Sequence, residues 1–390
     1  VPTAEVADSA GIRIVTYDLT GRAAPTYRTV AEQDLEIGTR DGALEYTFSR
    51  IASLAVMEDG SIVVSDAVAQ ELRVYDANGS YVRTLGRRGE GPGEFASAPT
   101  IAGISADTVF AFDPRSLRLT LVSLDGELVG EVPLRSEGLG RVESIVRRDD
   151  GTYVMQSPWI PPDGGAVESH EMRAELDSVA ALRTDAHGAF IDTMRVMPDR
   201  TRARSMEVRT GGIVRVLQGP TPYSARVFIR SGGRHLLVAR SDAVDLTLFD
   251  AASGGRIVIR VLGVQNPATA EEIVAHQEAA LQESASDGEI DPTVRLMNTA
   301  FLPDRLPAFN NLLLETDGNV WVSLNELDAS AGYDWLVLTR EGDLLGTVHT
   351  PADFQVHHVG RDYLVGVATD ELDVPYVRRY PLIPPDGIEP

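Results

Sequence analysis

"EDGSIVVSDAVAQELRVYDANGSYVRTLGRRGEGPGEF" occupies residues 58–95, and its reading decides the fold. Short β-branched runs alternate with two turn signals, Asp59-Gly60 and Asn78-Gly79. Such pairs close tight antiparallel hairpins, because glycine accepts the positive φ that the turn demands. The glycine-dense tail, 86–95, suits either a phosphate-cradling loop or a connection between sheets. A phosphate loop has to open a helix, so that its N–H groups converge at the helix start. The residues after Phe95, ASAPTIAGI, read instead as another strand, which favours the connection.

The same strand–turn–strand grammar recurs around Gly126, Gly151, Gly188, Gly233, Gly318 and Gly342. The first turn of each unit falls at positions 60, 106, 151, 233, 318 and 360, with steps of 46, 45, 82, 85 and 42 residues. The short steps match the length of four short antiparallel strands, the content of one propeller blade. The surplus in the long steps reads as loop over 199–222 and as helix over 267–299. The expected fold is therefore all-β: a six-bladed β-propeller of four-stranded antiparallel blades, forming one domain over 1–390. Residues 1–33 are an N-terminal extension, and 264–307 a partly helical insertion between the fourth and fifth blades.

Comparison of linkers predicts how the ring closes. GTRDGALEYTF (38–48) and GTVHTPADF (346–354) start with Gly and end with an aromatic, as GRRGEGPGEF does. The segment 34–38 is then an outermost strand without inner partners of its own. It is expected to close the last blade, whose other strands lie near the C-terminus, and so to remove two open sheet edges.

Residues 58–95 resemble the NHL repeat, with Asp59, Gly60, Asp66, Arg73, Val74, Gly79, Gly86, Gly89, Gly91, Pro92, Gly93 and Phe95 at matching places. The resemblance is specific over one unit and implies kinship with the secreted six-bladed propeller proteins of bacteria, a group mostly without assigned chemistry. RNA-binding propellers of this type use a basic face, which is missing here. Lyases and lactonases on six-bladed rings hold metals near the axis, and none of their motifs carries over residue by residue.

A formal net charge of −23 and a pI near 4.7 argue against nucleic-acid partners and anionic membrane surfaces. The pairs Arg87-Arg88, Arg147-Arg148 and Arg378-Arg379 are short and flanked by acids, and read as solvated surface. Every basic residue is Arg, so Schiff-base and P-loop lysine chemistry are excluded, and the absence of Cys removes disulfides and thiolate chemistry. No apolar run approaches the roughly 18 residues of a membrane helix. The polar start VPTAEVADSAG suits a mature chain whose export signal has been removed, so a secreted, periplasmic or cell-surface bacterial protein is expected.

In a propeller the turns within the first and last hairpins of a blade lie on one side, and the middle turns and blade-to-blade linkers on the other. The second set contains every long insertion: 157–178, 199–222, 264–307 and 325–334. Elaborated loops on a rigid scaffold are where binding concentrates. Candidate residues of that face are Asp66, Arg88, Trp159, His170, His276, Arg305 and Asn325. Trp159, in SPWIPPDGG, is a suitable contact for a glycan or peptide, whereas Trp321 and Trp335 sit in apolar strands and read as core.

Thr269 is the expected N-cap of a helix with Glu271 and Glu272 in its first turn and an apolar stripe of Ile273, Val274, Ala280 and Leu281, lying as a lid across the ring. The acidic run SDGEID (286–291) lacks the ligand spacing of a calcium loop. The seven His do not cluster, and strand alternation sends His357 and His358 to opposite faces. No GxSxG elbow occurs. No catalytic residue, metal ligand or cofactor is assigned, although a divalent cation such as calcium stays open.

Three functions remain in play. A non-catalytic extracytoplasmic binding or assembly module for a protein, peptide or glycan is preferred. A metal-dependent hydrolase or lyase, lactonase-like, at the channel mouth is the second, and a structural subunit of an extracellular polymer, forming homo-oligomers or filaments, the third.

Overall fold

The computed structural model describes residues 2–134, 142–159, 173–210, 213–232, 234–250, 253–284, 290–315 and 318–385. Six antiparallel sheets follow one another along the chain. The first blade comprises Ile51–Val56, Ile62–Asp66, Glu71–Tyr75 and Tyr81–Leu85, and the second Thr100–Ser105, Thr108–Asp113, Arg118–Ser123 and Leu128–Pro133. The fifth and sixth begin with Phe309–Leu314 and Phe354–Val359. The chain is a six-bladed propeller of the kind the repeat predicts.

Burial explains the strand pattern. Ile62–Asp66 is buried at every position, whereas Tyr81–Leu85 alternates. A second strand is covered on both faces by neighbouring blades, while an outermost strand meets solvent. Apolar clusters lie at the blade boundaries. Val63, Leu72, Val109 and Val122 join the first two blades, and Leu54, Tyr75, Val365 and Val377 join the sixth to the first. Each blade thus removes its neighbour's apolar surface from water, worth about 25 cal/mol per Å².

The 86–95 segment is a connection between blades. Gly86 has φ +69°, and a Cβ there would lie 2.4 Å from the ring of Phe95, which is completely buried between the first two blades. Carboxylates of the protein occupy its N–H groups: Glu94 of the loop accepts from Gly91 (2.9 Å), and Glu131 of the second blade's outermost strand from Gly93 (3.1 Å). Arg118 donates to the carbonyls of Gly91 (3.2 Å) and Glu94 (2.7 Å). A phosphate would have to displace these internal partners.

The ring closes where Leu35–Ile37 pairs antiparallel with Pro375–Ile383, with Thr29–Val30 further along the same strand. Arg378 and Arg379 are here ion-pair partners rather than solvated surface. Arg378 binds Glu36 (2.8 Å) and Asp353 (3.1 Å), and Arg379 binds Asp34 (2.8 Å). Sequence-local charge does not reveal this, because Glu36 and Asp34 arrive from the other end of the chain and Asp353 from 25 residues away. Arg148 is likewise buried, paired with Asp150 at 3.4 Å.

The first residues follow the outer rim. Ile12–Asp18 runs parallel to Arg256–Leu262 of the fourth blade, and Glu5–Ser9 adds a sixth strand there. Tyr27 then donates to the carbonyl of Thr347 on the fifth blade (2.8 Å) before the chain reaches the sixth.

Several expectations are corrected. Residues 199–222 are largely strand: Phe190–Thr210 continues the fourth strand of the third blade, and Ile213–Pro220 pairs with it. The linker drawn at 346–354 shrinks to 351–353, because Leu344–Thr350 remains in the ladder. The helical insertion divides into α1 (Ala270–Ser284) and α2 (Pro292–Thr299). Thr269 and Glu272 form a reciprocal cap, with Glu272 N–H to Thr269 Oγ1 at 3.3 Å and Thr269 N–H to Glu272 Oε2 at 2.8 Å. Ile273 is buried, but Val274 and Ala280 are exposed, so the apolar stripe is narrower than predicted. No described residue of either helix borders the central cavity.

Candidate functional site

The innermost strands of all six blades surround a cavity of about 850 Å³. In the first, second, fifth and sixth blades this strand carries a β-bulge, at Ile51/Ser53, Ile101/Gly103, Phe309/Asn311 and Val356/His358. A bulge inserts one unpaired residue and re-aims the side chains beside it. His357 is the extra residue of the sixth blade, and both His357 and His358 border the cavity.

The wall is locally cationic in a strongly acidic protein. Arg147, Arg226 and Arg230 border it, against Glu143 and Asp149. Arg230 projects from Val227–Gly232 of the fourth blade, and its Nε donates to the carbonyl of Leu312 in the fifth blade (2.7 Å). Its Nη1 donates to the carbonyl of Ile229 (3.1 Å), and the guanidinium lies 5.1 Å from the centre of the Phe228 ring. Burial, and then the charge of Arg226, pull its pKa down to about 10. Arg226 packs on the same ring at 4.6 Å and donates to the carbonyl of Asn310 (2.9 Å).

Burial, followed by the nearby Arg230 charge, lowers His357 to about 4. His358 is lowered to about 4 by burial alone and stacks against Tyr363, with ring centres 6.0 Å apart. Both imidazoles are neutral near pH 7. Arg147 stacks over Phe110 at 4.7 Å, and Gly103 faces it: a Cβ at that glycine would lie 2.9 Å from Arg147 Cβ.

The residues singled out in the sequence lie elsewhere. Asp66 is buried; it pairs with Arg73 (3.3 Å) and accepts the N–H groups of Val68 and Ala69 (3.0 Å each), closing a turn. Arg88 is exposed in the first linker. Trp159 ends a strand, paired through its backbone with Ser178, rather than lying in a loop. His170 lies outside the described residues, as does most of 286–291. His276 Nδ1 and the Tyr223 hydroxyl share a hydrogen bond of 2.8 Å. Tyr223 and Arg305 border a smaller pocket of about 310 Å³ beneath the insertion. The backbone N–H of Asn325 donates to Ala308 (3.1 Å).

None of the described ones among these candidates borders the large cavity. Arg147 and Arg230 were missed, although each is an arginine inside an apolar innermost strand, SIVR and VFIRSG, and that anomaly was the available signal. Among the described residues no three His, Asp or Glu side chains gather in a way that could hold a metal ion.

Comparison with known proteins agrees with this architecture. Residues 35–126, from the closing strand into the second blade, match the family model DUF5128, described as a 6-bladed beta-propeller. The chain is a six-bladed β-propeller. A candidate exported protein of Bacteroides fragilis NCTC 9343 superimposes with a TM-score of 0.53 at 11% identity, over 94% of this chain and 99% of that one. A member of the duf4221 family from Bacteroides vulgatus ATCC 8482 gives 0.46 at 9% identity, over 92% and 98%. The calcium-binding protein regucalcin from Agrobacterium tumefaciens gives 0.41 at 9% identity, over 92% and 96%. No curated protein matches the sequence significantly. No helix among the described residues is long and apolar enough to cross a membrane.

Proposed function

We propose that this propeller is an extracytoplasmic, non-catalytic binding module that receives part of a peptide or glycan partner in its axial cavity. The single observation that carries the reading is the cavity of about 850 Å³, bounded by the innermost strands of every blade and lined by Arg, Asn, Gln, His and Ser side chains. That volume lies within the range of about 300–1,000 Å³ typical of ligand sites. The segment between the fourth and fifth blades and the turn at 325–332 stand on the side where second-to-third turns and linkers lie, and are suited to contact the remainder of a partner. The fold-level likeness to the Bacteroides fragilis protein supports an exported location.

The test is a thermal-shift screen of neutral and charged oligosaccharides and peptides, with hits mapped by hydrogen exchange. Gln355, exposed in the sixth blade and bordering the cavity, provides the control: Gln355→Trp narrows the channel. Protection of the innermost strands, lost in Gln355→Trp, is expected. Protection confined to the short turns at 57–61 and 339–343 would overturn the assignment.

A further inference from the structure

We propose that Arg230, Asn311 and His357 form an oxyanion subsite, the place where a ligand in the channel presents a carboxylate, sulfate or phosphate group. This rests on the binding reading above and adds the charge of what is bound.

The three residues come from the innermost strands of successive blades, the fourth, fifth and sixth, and all border the cavity. Each presents hydrogen-bond donors. Arg230 spends two of its five N–H groups on carbonyls, that of Leu312 across the blade boundary and that of Ile229 on its own strand. No ion pair joins it to a described carboxylate, in a chain with 58 Asp and Glu against 35 Arg. Arg73, in the third strand of the first blade, has two such partners. Asn311 accepts the N–H of Leu312 through Oδ1 (2.8 Å), which leaves its amide nitrogen for the cavity. His357, carried by the bulge and kept neutral by burial and by Arg230, can offer one ring N–H.

A guanidinium, an amide NH₂ and an imidazole N–H on one wall complement an oxyanion, whose lone pairs accept all three. An uncharged ligand would leave Arg230 uncompensated, and a buried charge without a counter-charge is costly. Glu143 and Asp149 border the cavity from the third blade without pairing with Arg230. Arg226, immediately before the strand of Arg230, lies close enough for its charge to act on that guanidinium.

The experiment titrates the intact protein calorimetrically with sodium glucuronate, sodium sulfate and inorganic phosphate, and with glucose as the uncharged control. At least one oxyanion is expected to bind, more weakly as salt rises, and glucose not to bind; which anion responds identifies the source of the group. Arg230→Gln should weaken that binding by about tenfold or more, whereas Arg13→Gln, exposed on the outer-rim strand Ile12–Asp18, should leave it unchanged. Asn311→Asp keeps the acceptor for the Leu312 N–H while placing an internal carboxylate beside Arg230. It should abolish anion binding with a melting temperature at or above wild type.

Failure of all three anions to bind, or equal binding by Arg230→Gln or Asn311→Asp, would overturn the subsite. Should neutral oligosaccharides or peptides bind, with Gln355→Trp blocking them and Arg230→Gln not, the binding reading stands and the oxyanion subsite falls.

Discussion

Two arginines in one ring have opposite surroundings. Arg73, in the third strand of the first blade, is held by Asp66 (3.3 Å), Glu71 (2.9 Å) and the carbonyl of Thr47 (2.8 Å). Burial alone would lower its pKa, but Glu71 and Asp66 raise it above the usual arginine value. Arg230, on the channel wall, has only carbonyls and an aromatic ring, and burial with Arg226 depresses it. Arg73, between blades, is neutralised by carboxylates of its own blade, whereas Arg230, at the axis, has no ion pair with a described carboxylate. The first arrangement serves folding, and the second costs stability unless a ligand supplies the anion.

The contrast can be broken at several points. Asp66→Ala should have the largest effect, about 3–5 kcal/mol in urea unfolding at pH 7, because it leaves Arg73 buried beside a lost turn. A loss below about 1 kcal/mol would show that the pair does not matter to folding. Next comes His357, on the unmatched side. Its folded pKa of about 4 lies below the unfolded 6.5, so the unfolded state binds more protons between those values. Stability should therefore fall as pH drops through that window, by up to about 3 kcal/mol from this residue. In His357→Gln the fall should shrink by that amount, and an unchanged pH profile would show that the imidazole is not desolvated.

Ser97→Ala removes a short hydrogen bond to the buried Asp113 and should cost about 2 kcal/mol, again by urea unfolding. The smallest effect belongs to Arg230→Gln, whose stability without added anions should lie within about 1 kcal/mol of wild type. A loss as large as that of Asp66→Ala would make Arg230 a structural strut and erase the contrast.

The ring was legible because its signals are local. Glycine turns at Gly60 and Gly79, the recurring first-turn spacing and the Gly-to-aromatic linkers follow from backbone sterics and strand length within a few dozen residues. Even closure was readable, because Leu35 and Ile37 have the alternation of an outer strand and no inner strands beside them. The cavity wall was not readable. Bulges at Asn310 and His357 shift the register by one residue, and Arg230 acquires its neighbours from blades over 80 residues away. The same distance hid the ion pairs of Arg378 with Glu36 and of Arg379 with Asp34, which stand more than 340 residues earlier.

By itself the amino-acid order determined six sheets, their meander and the residues that plug one sheet against the next, since turn chemistry and apolar alternation act between near neighbours. Tertiary structure alone decided which polar groups meet at the axis and which of them keep an internal counter-charge. That depends on where separate strands converge, and Coulombic and hydrogen-bonding partners are set by distance in space rather than along the chain.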